Sequence, residues 1–210
     1  MDAAAFVNLV SRWAELMTRN RDWLIELDSV VGDSDLGLTM SDGFQAAASA
    51  VAESELTDVG KLAYQAGKAM ASAVPSTMGT LMAIGLMNAG KALKGREELD
   101  AQGEADFFQA YLEGVQNRGK AALGEKTFLD GLAPAIDALR QAQAQGAGQA
   151  QCAAQAAECA WQAFHSTRGM LARHGRMAIR GEASRDMLDP GAAVAALLMK
   201  GYAELKADSE

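Results

Sequence analysis

The stretch Phe6-Val7-Asn8-Leu9-Val10-Ser11-Arg12-Trp13-Ala14-Glu15-Leu16-Met17 decides the fold class. Its apolar residues Phe6, Leu9, Val10, Trp13, Leu16 and Met17 recur at three and four, which lines them up as the stripe of an amphipathic helix. The same period continues outward. Trp23, Leu24 and Leu27 resume it after the polar break Asn20-Arg21-Asp22, so the first helix is expected to end near Thr18 and a short second one to run from Asp22. Further helical runs begin after Gly37 and cover 59–74, 77–93, 105–121, 127–144, 149–172 and 191–206. No segment alternates well enough to be a strand. The expectation is therefore an all-α chain of eight or nine helices with short connections. Neighbours should pack antiparallel, as an up-and-down eight-helix bundle or barrel, in a single domain over residues 1–210.

Length and composition agree with one core, since half of the 210 residues are apolar and nothing reads as a linker. A net charge of −8 argues against a nucleic-acid surface and against an anionic membrane surface, both of which need clustered Lys and Arg. The N-terminus has no basic n-region, and no apolar run is long enough to span a bilayer, so a cytoplasmic location is expected. Cys152 and Cys159 are seven apart on one expected helix, about 10 Å along its axis at ~1.5 Å per residue, too far for a mutual disulfide. They read as small apolar core thiols.

Chemistry concentrates in Asp28-Ser29-Val30-Val31-Gly32-Asp33-Ser34-Asp35-Leu36-Gly37, which sets three carboxylates within eight residues of a glycine-punctuated turn. Nothing basic lies between them, so Asp28, Asp33 and Asp35 repel one another unless solvent or a cation intervenes. Oxygen-only ligands suit a hard cation such as Mg²⁺ and leave positions open for phosphate and water. Asp and Gly also build helix-to-helix turns, with Asp33 or Asp35 as a cap, and spacing alone leaves both readings open.

Other segments have the look of helix starts, where free N–H groups and the positive dipole end suit a phosphate. Pro75-Ser76-Thr77-Met78-Gly79-Thr80 ends one helix and opens the next, with a hydroxyl residue as N-cap. Asp189-Pro190-Gly191 is another, Asp189 as N-cap and Pro190 at the first helical position. In Gly124-Glu125-Lys126-Thr127 a lysine opposes the dipole of the helix it precedes, a local conflict that hints at function. The polar stretch 173–188 contains Arg176, suited to bidentate contact with phosphate, and reads either as a mobile cover or as an ordinary surface loop. If helices alternate in direction, these segments and the acidic turn are compatible with one end of the fold.

Taken in order, Asp28 to Met40, Arg118-Gly119-Lys120 with Gly124-Glu125-Lys126-Thr127, Gly175-Arg176 and Asp189-Pro190-Gly191-Ala192 resemble the ADP-binding L subunit of dihydroxyacetone kinase over nearly the whole chain. The resemblance implies an antiparallel eight-helix barrel with two Mg²⁺ ions held by Asp28, Asp33 and Asp35. It also implies ADP or ATP lined by Leu36, Thr39, Thr77, Met78, Gly79, Gly119, Phe128, Arg176, Asp189, Pro190 and Gly191. Asp28, Asp33, Asp35 and Arg176 would carry the catalytic role, and Lys126 is a further candidate for holding nucleotide. The family holds its ketose through a His on a separate K subunit or domain, so a K-type partner is implied. A phosphotransferase-system protein that rephosphorylates bound ADP is the implied donor. Direct ATP-dependent phosphorylation of another short ketose and a non-catalytic metal or nucleotide sensor are the alternatives, and the sequence leaves a homodimer open. Two places depart from the family pattern. Leu36 stands where His is common, and Pro75-Ser76-Thr77-Met78-Gly79 replaces a Gly-Gly-x-Ser-Gly phosphate loop. Pro75 brings no N–H and Met78 no hydroxyl, so nucleotide affinity or orientation is expected to differ.

Overall fold

The computed structural model describes residues 1–209, which contain no strand beyond an isolated bridge between Asp2 and Glu98. The helices are α1 (Ala3–Arg19), α2 (Arg21–Ser29), α3 (Leu36–Ala52), α4 (Val59–Ala73), α5 (Thr77–Ala92), α6 (Ala101–Gly119), α7 (Phe128–Ala144), α8 (Gln149–Ser166) and α9 (Pro190–Ala207). Between α8 and α9 lies a 3₁₀ segment, Arg176–Asp186, broken at Gly181. The all-α expectation holds. Two helix ends differ from the apolar pattern because side chains fix them. The helix expected from residue 105 starts at Ala101, because Asp100 accepts the Gly103 N–H at 2.8 Å. The helix expected to reach 172 stops at Ser166, where the Thr167 hydroxyl donates to the Phe164 carbonyl and accepts from the Asp189 N–H.

The chain forms two compact units. The first comprises Met1–Thr18 and Thr39–Gly119. Its core gathers on the stripe read from the sequence. Trp13 lies edge-on to Phe44 and Phe108 and stacks on Phe107, with ring centroids 6.0 to 6.5 Å apart. Such ring pairs add about 0.5–1.5 kcal/mol each beyond area burial. The helices run up and down. Gly43 lies against Met70 and Val74 while Gln65 donates to the Ala50 carbonyl, so α3 and α4 are antiparallel. Gly60 meets Leu93, and Gly67 meets Ala83 and Met87, so α5 returns along α4. Asn88 donates to the Ala110 carbonyl and Gly114 abuts Ile84, so α6 returns along α5. The buried N-terminal ammonium donates to the Leu99 carbonyl and pairs with buried Glu104 at 3.1 Å.

The second unit comprises Arg19–Leu38 and the chain from Lys120 onward. A Gly146 turn, with φ +76°, reverses α7 into α8. Cys159 on α8 donates to the Pro134 carbonyl of α7, while Cys152 is buried; both thiols are free. Asp189 meets Thr167 at one end of the α8–α9 pair and Lys206 meets Gln149 at the other, so these helices are antiparallel. Gly131 abuts Ala192, and Gly191 abuts the Phe128 backbone, so α7 and α9 start together and run parallel. Trp23 of α2 packs on Trp161 and Phe164 of α8.

Candidate metal and nucleotide site

The acidic turn closes on itself through backbone hydrogen bonds. The Val31 and Gly32 N–H groups both donate to the Asp28 carbonyl, ending α2, and the Leu36 N–H at the start of α3 points at Asp28 Oδ2. Ser34 takes a left-handed φ of +66° between the other two acids. Carboxylate oxygens of Asp28, Asp33 and Asp35 thereby lie within 4.8 Å of one another, with Asp33 and Asp35 open to solvent. Gly32 makes the approach possible: a Cβ there would lie 2.1 Å from Asp28 Oδ1. The capping reading thus accounts for little of the turn, because only Asp28 receives a backbone N–H, and over a long distance.

Arg176 supplies the counter-charge, its guanidinium pairing with Asp33. Arg180, four residues on, reaches the Val30 carbonyl at 3.4 Å. Beneath them Val31, Ala172 and Met177 form a small buried cluster with Met187 against it. Partial desolvation and the neighbouring Asp33 and Asp28 charges push the Asp35 carboxyl above its ordinary value, with Arg176 opposing them. This donor set is all oxygen and carries more negative charge than one guanidinium offsets, which suits a hard divalent cation.

The loop ahead of α7 joins the same region. Glu125 accepts from the Ala122 N–H at 2.7 Å and lies 2.6 Å from His174, and both hold its carboxyl below the usual range. The Arg173 N–H donates to the Glu125 carbonyl. Thr127 caps α7 in a reciprocal box with Asp130, whose other oxygen takes the Gly124 N–H at 2.6 Å. Phe128 is buried at the start of that helix, beside Gly191. Lys126 corrects the sequence reading. Its ammonium is buried and donates to carbonyls of the same unit, so it does not reach outward to a ligand.

Asp189 caps α9, accepting the Ala192 N–H at 2.7 Å, and is buried. Burial raises its carboxyl to about 7, against the lowering effect of the Ala192 N–H. The folded state therefore binds a proton that the unfolded chain releases near 3.8, and stability falls as pH rises from about 4 to about 7. Asp189→Asn keeps a capping oxygen without the charge. Thermal melts without nucleotide should place the variant several degrees above wild type at pH 8, with the gap narrowing at pH 5 and closing only near pH 4. An equal difference at both pH values would contradict the assignment.

Of the remaining expected positions, Leu36 is buried at the start of α3 in the second unit. Thr39, Thr77, Met78, Gly79 and Gly119 belong to the first unit. There Ser76, not Thr77, caps α5: its hydroxyl accepts the Gly79 N–H at 3.0 Å, and its carbonyl takes the Thr80 N–H. Of the free N–H groups at this helix start, that of Gly79 is thus engaged by the cap. Pro75 sits between the Val74 cap of α4 and this N-cap.

The DAK2 domain model matches residues 30–204, which include Asp33, Asp35, Arg176 and Asp189; Asp28 lies just ahead of the match. The chain belongs to the DAK2 domain family. Among DAK2 relatives, the ADP-binding subunit of PEP-dependent dihydroxyacetone kinase 1 of Listeria innocua is 34% identical over 191 residues, covering 89% of this chain and 90% of that one. The corresponding subunit of the Escherichia coli enzyme is 30% identical over 194 residues, covering 92% of each chain. The resemblance read from the sequence is thereby met, and both of these relatives are named as subunits of a kinase, a phosphotransferase. The crystal structure of the dihydroxyacetone kinase from C. freundii in complex with AMP-PNP and Mg²⁺ superposes with a TM-score of 0.69 at 22% identity. That match takes in 96% of this chain but only 34% of the other, and it shows a shared fold. No helix among the described residues is long and apolar enough to cross a membrane.

Proposed function

We propose that this chain is the nucleotide-binding, phosphoryl-passing subunit of a dihydroxyacetone-type ketose kinase. The observation that carries the proposal is the cluster of Asp28, Asp33 and Asp35 with Arg176 paired to it, in a chain so similar in length and sequence to ADP-binding subunits. In this reading the three carboxylates hold Mg²⁺, two ions by family analogy, and ADP or ATP is bound through it. Bound Mg²⁺ would offset charge on the terminal phosphates. Arg176 is exposed enough to leave Asp33 and take a phosphate oxygen instead, so one guanidinium serves as stand-in cation without ligand and as phosphate ligand with it. Asp189, Pro190 and Gly191 at the start of α9, with Phe128 beside them, would frame the nucleotide on this unit. Thr39, Thr77, Met78, Gly79 and Gly119 are assigned to nucleotide from the family pattern. The ketose belongs on a separate K-type chain, and a phosphotransferase-system protein is the proposed donor, as the relatives' names suggest.

Thermal-shift titration tests the first step. Mg²⁺ with ADP should stabilise the chain well beyond Mg²⁺ alone, by about 2.7 kcal/mol at a hundredfold excess over Kd. A shift given entirely by Mg²⁺ alone would refute nucleotide binding. Reconstitution with a K-type subunit and a phosphate donor tests the second, through formation of ketose phosphate. One observation favours a nucleotide sensor as second reading: Ser76 occupies the Gly79 N–H and Met78 adds no hydroxyl, which weakens the start of α5 as a phosphate cradle. A sensor would bind Mg²⁺ and ADP but form no ketose phosphate.

A further inference from the structure

The segment carrying Arg176 and Arg180 has little core of its own. Met177 is buried, but Ile179 is 87% exposed and Gly181 breaks the 3₁₀ run with φ +54°. Its two flanks are gathered by one buried amine. Lys126 Nζ donates to the Ser184 and Met187 carbonyls at 2.6 Å each and to the Met170 carbonyl at 3.3 Å. Those carbonyls bracket the arginines on both sides, and three acceptors match the three protons of an ammonium. The left-handed backbone of Lys126, with φ +62°, turns the side chain inward just before the N-cap Thr127. This also resolves the conflict seen in the sequence, since the charge is satisfied by carbonyl oxygens and not by the helix it precedes. A buried ammonium is costly unless fully hydrogen-bonded, and an uncharged residue here would leave three carbonyls to find other partners.

We infer that Lys126 is a positioning residue: it clamps Met170, Ser184 and Met187 together so that Arg176 and Arg180 stay on the acidic turn. Its bearing on nucleotide rests on the function proposed above. The clamp itself does not. Two readouts on the full chain separate these: the rate of tryptic cleavage after Arg176 and Arg180 under folding conditions, and Mg²⁺-dependent ADP affinity by calorimetry. They are compared for wild type, Lys126→Gln, Arg176→Ala and the double variant, with Lys126→Met replacing Gln if the latter fails to fold. Lys126→Gln should be cut at these two bonds at least tenfold faster while keeping its helical circular dichroism. It should weaken Mg²⁺-dependent ADP binding about tenfold, and lose most of that effect when Arg176 is already Ala. Unchanged cleavage overturns the clamp whatever the nucleotide does. An equal loss of affinity with and without Arg176 overturns positioning and leaves a general structural role. If cleavage accelerates as expected but wild type binds no ADP, the clamp stands and the nucleotide reading falls.

Discussion

Asp33→Asn is expected to abolish Mg²⁺-dependent stabilisation by ADP while leaving the melting temperature of the ligand-free chain within about 1 °C of wild type. Both halves follow from one ion pair. Asp33 and Arg176 meet at the surface, 41% and 65% exposed, where such pairs contribute only ~0–1 kcal/mol. Removing the Asp33 charge also relieves Asp35, which that charge pushes up. The free fold therefore loses little. A divalent cation, in contrast, loses one of three charged ligands, and the neutral amide is a poor replacement. Thermal melts with Mg²⁺ alone, ADP alone and both together measure this directly. A variant that keeps the wild-type shift would remove Asp33 from the ligand set.

How much of this was legible beforehand depended on the kind of signal. The Trp13 stripe announces its helix because burial demands a 3.6-residue period, and Trp13 does meet Phe44, Phe107 and Phe108. The acidic turn announces its residues but leaves capping and coordination open, since carboxylates at that spacing can do either depending on where Ser34 and Gly32 send the backbone. Lys126 was misread for a related reason. Sequence position puts its charge at a helix start, whereas the carbonyls of Met170, Ser184 and Met187 that draw the amine inward lie 44 to 61 residues away. The end of α8 at Ser166 depends on Thr167 meeting Asp189, a contact between residues 22 apart that no local pattern encodes. Gly32 carried a usable clue: a glycine inside an acidic triad allows the close approach that any Cβ at 2.1 Å from Asp28 Oδ1 would forbid.

A large loss of stability is expected from Gly90→Ala. A Cβ there would lie 2.5 Å from the Gly60 carbonyl oxygen and 2.6 Å from the Tyr64 nitrogen, and backbone atoms cannot rotate away. Either α4 and α5 separate along the stretch where Gly60, Gly67 and Gly90 bring them together, or a helix bends. Overpacking of this kind costs about 1–3 kcal/mol and sometimes more, against a gain of ~1 kcal/mol from replacing glycine by alanine in a helix. Because the obstruction is backbone, we place the net loss near 2 kcal/mol, or about 4–8 °C in melting temperature. Gly119→Ala is the control. Its Cβ would come no nearer than 3.4 Å to a Leu81 methyl, so it should be neutral or mildly stabilising. Equal behaviour of the two variants would mean that the α4–α5 contact tolerates separation.

The Arg180 contact with Val30 joins residues 150 positions apart. On a ribosome the acidic turn is made early, and its arginines emerge only after α3 to α8 have followed. Closing a loop of that length costs on the order of 4 kcal/mol in chain entropy, which the Val31–Ala172–Met177 cluster and the packing of Trp23 on Trp161 and Phe164 help to offset. Residues 19–38 therefore wait as an unmatched acidic strip while most of the chain is synthesised, and the second unit can assemble only as its last helices arrive. Truncation before Arg176 would accordingly leave a nascent chain with its carboxylates in place and nothing of its own to answer them.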